Sequence, residues 1–293
     1  MLFYLVIPKA EFYVKTEIMK TKAILLILCI LFFAAGYSQN AIRLETDPVK
    51  IAEIKSYLQN LDSTLVSNPE DGALHIKKAS LHTALGEYET AKTSLTKAID
   101  LNPDPAALFF LYYRRGDLNY KLQLLEESIA DFFTAIQLEP RYEWAYLDRG
   151  MALADMGKTT DAQKDFFKAL ELKPNWGDAL YCLGVCYQDQ GEPQEAMDYF
   201  QQAVKNMDET ALFKYKTYNN IGILYNHQQK YNTSISFFDK AIALNPNYAL
   251  AYINRAIARY QLNDMNGVCA DLQKAVELGR EDVKSEYEKY CNP

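Results

Sequence analysis

The sequence is poor in turn-formers. Glycine and proline number only 12 and 10 among 293 residues, below the ~7% and ~5% of ordinary usage. That shortage argues against many short strands and for helices joined by brief turns. Histidine occurs three times, as His75, His82 and His227, which leaves little material for a metal centre or a general base. The 31 Lys and Arg are outnumbered by 38 Asp and Glu, a net charge of −7. Phosphate contacts need clustered cations, so nucleic acid is not the expected partner. There is no nucleophile–base motif, no Gly-rich phosphate loop and no metal-ligand cluster, so an enzyme is not expected and no cofactor or metal is assigned. What remains is ordinary, with 49% hydrophobic and 24% charged residues, and excludes a disordered chain or a multi-span membrane protein. One residue is in excess: there are 22 tyrosines against 2 tryptophans.

The front end reads as a secretory signal. Lys20 and Lys22 precede an apolar run from Ala23 to Ala35, followed by Gly36-Tyr37-Ser38. The run is short for a membrane span of ~20 residues and ends on small residues suited to a signal peptidase. The reading is a signal within residues 1–38, a true start at Met19 and cleavage near Ser38. The alternative is an uncleaved anchor, and membrane contact is expected only in that case. Lipidation at Cys29 is disfavoured, because no small residue stands immediately before it. Removing four Lys and two Glu with the signal takes the net charge from −7 to −9. The mature protein is then acidic, exported to the periplasm or beyond, and without a polybasic patch for lipid.

Beyond that segment the chain repeats itself. Gly116, Gly150 and Gly184 are 34 apart; so are Ala135, Ala169 and Ala203, and so are Pro140 and Pro174. Six units fit, at 72–105, 109–142, 143–176, 177–210, 215–248 and 249–282, with four extra residues (Ala211 to Lys214) before the fifth. Counting positions 1–34 in each, position 27 is Ala in all six units, and position 24 is always Leu or Phe. Position 8 is Gly or Ala, and position 4 is Tyr in four units. Small residues at 8, 20 and 27 let two antiparallel helices approach, while large ones at 4, 11, 17 and 24 fill the space beside them. One such unit cannot bury its apolar face alone, so neighbours must stack. Residues 39–71 are read as a linker and an N-terminal capping helix, and 283–293 as the end of a C-terminal capping helix.

This pattern resembles the tetratricopeptide repeat family. The resemblance implies an all-α fold: an α-solenoid, a right-handed superhelix of about six helix pairs. It also implies a non-enzymatic scaffold that binds a protein or peptide in a groove lined by positions 2, 5, 9, 12 and 13 of each first helix. Carried over residue by residue, the apolar lining is Phe110, Tyr113 and Tyr120 in unit 2, and Trp144, Leu147 and Met151 in unit 3. It continues with Tyr181 and Val185 in unit 4, Ile223 in unit 5, and Ile253, Ile257 and Tyr260 in unit 6. Family members that grip a terminal carboxylate do so with Lys, Asn and Arg at positions 5 and 9. Here those positions are mostly apolar, so no carboxylate clamp for chaperone tails is present. An apolar helix or extended segment is the expected occupant. The same side chains can instead pack on the neighbouring unit. A membrane-tethered assembly factor is the alternative function, separated from the first by the fate of the signal.

Two further features stand out. Position 7 is Arg115, Arg149 and Arg255 in units 2, 3 and 6, where position 23 is Asp131, Asp165 and Asp271. In units 4 and 5 both positions are non-ionic: Leu183 with Tyr199, and Ile221 with Phe237. The joint exchange predicts Arg–Asp pairs between helices, within a unit or across a junction. Cys269 and Cys291 flank the last turn at nearly equal distances, which is compatible with a disulfide or with two buried thiols. Cys182 and Cys186, four apart on one helix face, read as packing residues.

Overall fold

The protein is described by a computed structural model covering residues 47–101 and 105–291; the expectations for the signal at 1–38 lie outside the described residues. Of the described residues 81% are helical and none is in a strand. α1 (Pro48–Ser67) precedes six antiparallel helix pairs. They are α2 (Gly72–Ala84) with α3 (Tyr88–Asp100), α4 (Pro105–Lys121) with α5 (Leu125–Leu138), and α6 (Glu143–Asp155) with α7 (Thr159–Leu172). Then come α8 (Gly177–Asp189) with α9 (Pro193–Asn206), α10 (Lys214–His227) with α11 (Tyr231–Leu244), and α12 (Ala249–Gln261) with α13 (Met265–Glu277). A 3-10 turn (Glu281–Val283) leads into the last helix, α14 (Lys284–Cys291). The result is an α-solenoid, each helix packed on its predecessor and its successor.

Local chemistry sets the helix ends. Asp47, Asp71 and Asp264 accept backbone N–H groups at the starts of α1, α2 and α13, satisfying donors that the helix leaves free. Position 15, between the paired helices, is left-handed in every unit. Gly86, Gly157 and Gly191 take φ of 73°, 75° and 77°; Gln123, Gln229 and Asn263 take 60°, 59° and 59° without being glycine.

The core of each pair is a ring laid on a bare backbone. A Cβ added at Gly116, Gly150, Gly184 or Gly222 would meet the ring of Phe132, Phe166, Phe200 or Phe238 at 2.8, 2.5, 2.5 and 2.5 Å. Those four rings are fully buried, each contributing up to ~3 kcal/mol of apolar burial. Units 1 and 6 solve the same contact with a smaller partner: Ala79 faces Leu95, and Ala256 faces Leu272. Where position 20 is Ser rather than Ala, its hydroxyl is satisfied: Ser128 and Ser234 donate to the carbonyls of Gly116 and Gly222 at 2.9 and 2.8 Å.

The end of unit 4 and the extra residues before unit 5 together form a plug rather than a loose loop. Met207 reaches under Gly177, where a Cβ would meet its Cγ at 2.5 Å. Lys214 is buried and donates to the Met207 carbonyl at 2.9 Å and to Glu209 at 2.7 Å. Phe213 stacks on Tyr181 with ring centroids 5.0 Å apart. At the far end, α14 folds back on the last unit. Val283 and Tyr287 pack against Ala256, Val268 and Leu272, and Cys269 is bonded to Cys291. Cys182 and Cys186 are free and buried.

Candidate peptide-binding groove

First helices of neighbouring units approach one another directly at α4–α6, α6–α8 and α10–α12. They make that face of the solenoid, and the groove positions lie on it. Phe110, Tyr113, Tyr120, Trp144, Met151, Tyr181, Val185, Ile223 and Ile253 are half-buried, while Ile257 and Tyr260 are 47% and 48% exposed. Leu147 departs from the expectation. It is only 2% exposed and belongs to the core of unit 3, because position 5 lies in the seam between units, not on its rim.

That seam follows a rule absent from the sequence reading. At two junctions a side chain at position 5 meets position 6 of the next unit, 35 residues on. The Tyr113 hydroxyl donates to Asp148 at 2.8 Å, and Asn254 donates to Asn219 at 2.9 Å. Position 12 meets position 13 in the same way, with the Tyr120 hydroxyl donating to Asp155 at 2.6 Å. Tyr113 and Tyr120 are thus tied by their hydroxyls and offer only ring faces to a ligand. Tyr113 also packs edge-on against Tyr142 at 4.9 Å and stacks on Phe110 at 6.2 Å. Burial, followed by the Asp148 charge, pushes its phenol well above the usual tyrosine range.

Asp148 was missed, and only the 35-residue seam contact could have pointed to it. It is 7% exposed. Burial, then the Asp117 carboxylate, raise its carboxyl to about 7, against the counter-pull of the Tyr113 hydroxyl and Lys121. Trp144 packs on Trp176 at 4.5 Å, with the Lys173 ammonium 5.2 Å and 4.3 Å from the two rings. Burial also raises both free thiols, Cys182 well above its ordinary value and Cys186 to about 11. Neither is a nucleophile at neutral pH.

The position 7 residues lie on the edge of the first helices and join three groups. Arg149 is bidentate to Asp165, at 2.7 and 2.7 Å, and lies over the Phe133 ring of the preceding unit at 5.9 Å. Arg115 pairs with Asp131 at 2.8 and 2.7 Å and reaches back to Thr96 at 3.2 Å. Arg255 pairs with Asp271 at 3.0 and 2.5 Å and reaches back to Asp239 at 2.5 Å. Arg259 adds a second cation to Asp271 at 2.9 Å. Each arginine therefore holds its own second helix and the second helix of the unit before. Among the described residues no group of three or more His, Cys, Asp or Glu could hold a metal ion, and no helix is long and apolar enough to cross a membrane.

Two family models, both described as Tetratricopeptide repeat, match residues 177–206 and 215–248, and residues 73–105 and 145–175. The chain carries tetratricopeptide repeats. A tetratricopeptide repeat protein from Parabacteroides merdae superimposes with a TM-score of 0.65 at 19% identity, over 86% of this chain and 97% of that one. The Cut9–Hcn1 hetero-tetramer of the APC/C gives 0.67 at 19% identity, over 83% of this chain and 48% of that one. At such identities the likeness shows the fold. Among curated proteins, the mitochondrial import receptor subunit TOM70 of Rattus norvegicus is 27% identical over 168 residues, 57% of this chain and 22% of its own length. The chain thus spans about a fifth of that relative. Tetratricopeptide proteins are in general scaffolds for protein interaction.

Proposed function

We propose that this tetratricopeptide array is a non-enzymatic scaffold of the cell envelope or secreted space, binding an apolar helix or extended segment along its first helices. The observation that carries the reading is the row of incompletely covered apolar side chains on that face. It runs from Phe110 through Trp144, Met151 and Val185 to Ile223, Ile257 and Tyr260. Apolar and aromatic side chains that stay partly exposed in a row are what interface cores use. The Cys269–Cys291 bond supports the exported location, since disulfides persist in oxidising compartments. The signal read at residues 20–38 supports it independently.

The test is capture from envelope extract by the parent protein and by a Trp144→Ala, Ile257→Ala, Tyr260→Ala variant. The three side chains lie on two distant units and lack hydrogen-bond roles that would unfold the array. The variant should lose the captured partner. Equal capture by both would remove the first-helix face from the account. Mass spectrometry of the mature N-terminus separates an exported form starting near Gln39 from a retained anchor.

A further inference from the structure

The middle of the groove holds more hydrogen-bond acceptors than it satisfies. Asp148 is nine-tenths buried, and among the described residues it has a single hydrogen-bond partner, the Tyr113 hydroxyl at 2.8 Å. A carboxylate can accept about four bonds. No Lys or Arg nitrogen lies within ion-pair distance of it among the described residues. The Lys121 amine, whose charge acts on Asp148, is itself engaged with Asp117 at 2.8 Å. Across the seam Asp178 adds another carboxylate. The walls are aromatic: Tyr113 and Tyr142 are 4.9 Å apart, and Phe110 lies beyond Tyr113 and already has the Arg114 guanidinium over it at 5.8 Å.

Further along the first helices, two acceptors are buried outright. Position 12 is Tyr120 in unit 2, where it donates to Asp155. In units 4 and 5 it is Gln188 and Asn226, whose side-chain oxygens are buried without a partner. Buried acceptors without donors are costly and uncommon in folded proteins. A segment lying in this groove would supply what is missing, namely N–H groups and positive charge.

We propose that Asp148 is a cation-recognition subsite, filled by a Lys or Arg side chain that the bound segment presents between apolar residues. The proposal rests on the groove reading above and names the chemistry of its occupant. The carboxylate supplies the charge, and the Tyr113 and Tyr142 rings supply faces that attract cations. It is the reverse of a carboxylate clamp: the protein carries the anion and the ligand the cation. Because the Asp148 carboxyl sits at about 7, a cation binding at neutral pH displaces the remaining proton. The charged and titratable groups facing it are Tyr113, Asp117, Tyr120 and Lys121 on α4, Tyr142 before α6, and Asp178 and Cys182 on α8.

The experiment uses the full chain to select phage-displayed dodecapeptides. The selected peptides are synthesised and titrated against the parent, Asp148→Asn and Trp144→Ala, at pH 6 and pH 8. Each is also made with its Lys or Arg replaced by norleucine. Selected peptides should carry Lys or Arg flanked by apolar residues. They should bind about tenfold more weakly to Asp148→Asn, and about tenfold more weakly as norleucine peptides; such a change corresponds to about 1.4 kcal/mol. Affinity for the parent should rise from pH 6 to pH 8, and that rise should vanish in Asp148→Asn. Norleucine peptides matching their parents in affinity would overturn the subsite, even if Trp144→Ala still weakens them and the groove stands. No selected peptide, or binding indifferent to Trp144→Ala, would overturn the groove reading and the subsite with it.

Discussion

Rewriting one unit in the image of its neighbour tests how this array is held. Arg149 and Asp165 make two charge-assisted bonds of 2.7 Å, and their side chains are 17% and 8% exposed. Arg149→Leu alone strands a nearly buried carboxylate between α6 and α7. The expected loss is ~3–5 kcal/mol, the range for breaking one side of a buried pair. Asp165→Phe alone strands a guanidinium that still faces the Phe133 ring at 5.9 Å and can reach water, so ~2 kcal/mol is expected. The double variant recreates the apolar pairing of units 4 and 5. Exchange of a buried pair for apolar groups of similar size is often close to neutral, so it should sit within ~1 kcal/mol of the parent. The coupling between the two changes is then several kcal/mol, far above the ~0.5 kcal/mol expected of independent sites. Urea unfolding reads the totals. Solenoids can open in parts, so amide exchange in α6 and α7 should accompany it. Losses that simply add in the double variant would mean that Arg149 and Asp165 do not act as a pair.

Other expectations follow from named contacts. Gly150→Ala puts a Cβ 2.5 Å from the Phe166 ring and should cost ~1–3 kcal/mol by overpacking. Adding Phe166→Leu copies the Ala–Leu solution of units 1 and 6 and should recover much of that loss in thermal melts. Gln123→Gly and Gln229→Gly relieve left-handed backbone at φ of 60° and 59° and should each raise stability by up to ~1 kcal/mol. Asp148 has a carboxyl raised to about 7 in the folded protein, above the ~3.9 of an unfolded Asp. The unfolded chain therefore gives up this proton first, and stability should fall as pH rises from ~4 to ~7, then level off. Asp148→Asn should flatten that decline; an unchanged pH profile in urea melts would contradict the assignment.

The helix pairs were legible because small and large residues recur at a fixed period, and six aligned units make each position visible. Joint variation was legible too, where two positions were compared: 7 with 23 varies between ionic and non-ionic, and in units 2, 3 and 6 the structure joins those positions as ion pairs within the unit. The pairing of Gly with Phe and Ala with Leu at positions 8 and 24 was equally written in the sequence, but shows only when both are read together. The seam was not legible. Which residues meet across it depends on the stagger between stacked units, and no intra-unit period encodes that stagger. Leu147 consequently reads as groove lining but is core, and Asp148 reads as nothing yet lies at the groove's centre. The extra residues before unit 5 signal a change, but not that Phe213 and Lys214 would pack with Met207 of unit 4 there.

Whether the first-helix face binds a partner segment decides the function of this array. The most direct measurement is hydrogen-exchange mass spectrometry of the protein alone and bound to the partner captured from envelope extract. Added protection is expected in α4, α6, α8, α10 and α12, with the outer helices α5, α7, α9, α11 and α13 unchanged. Protection confined to those outer helices, or to α1 and α14 at the two ends, would contradict it.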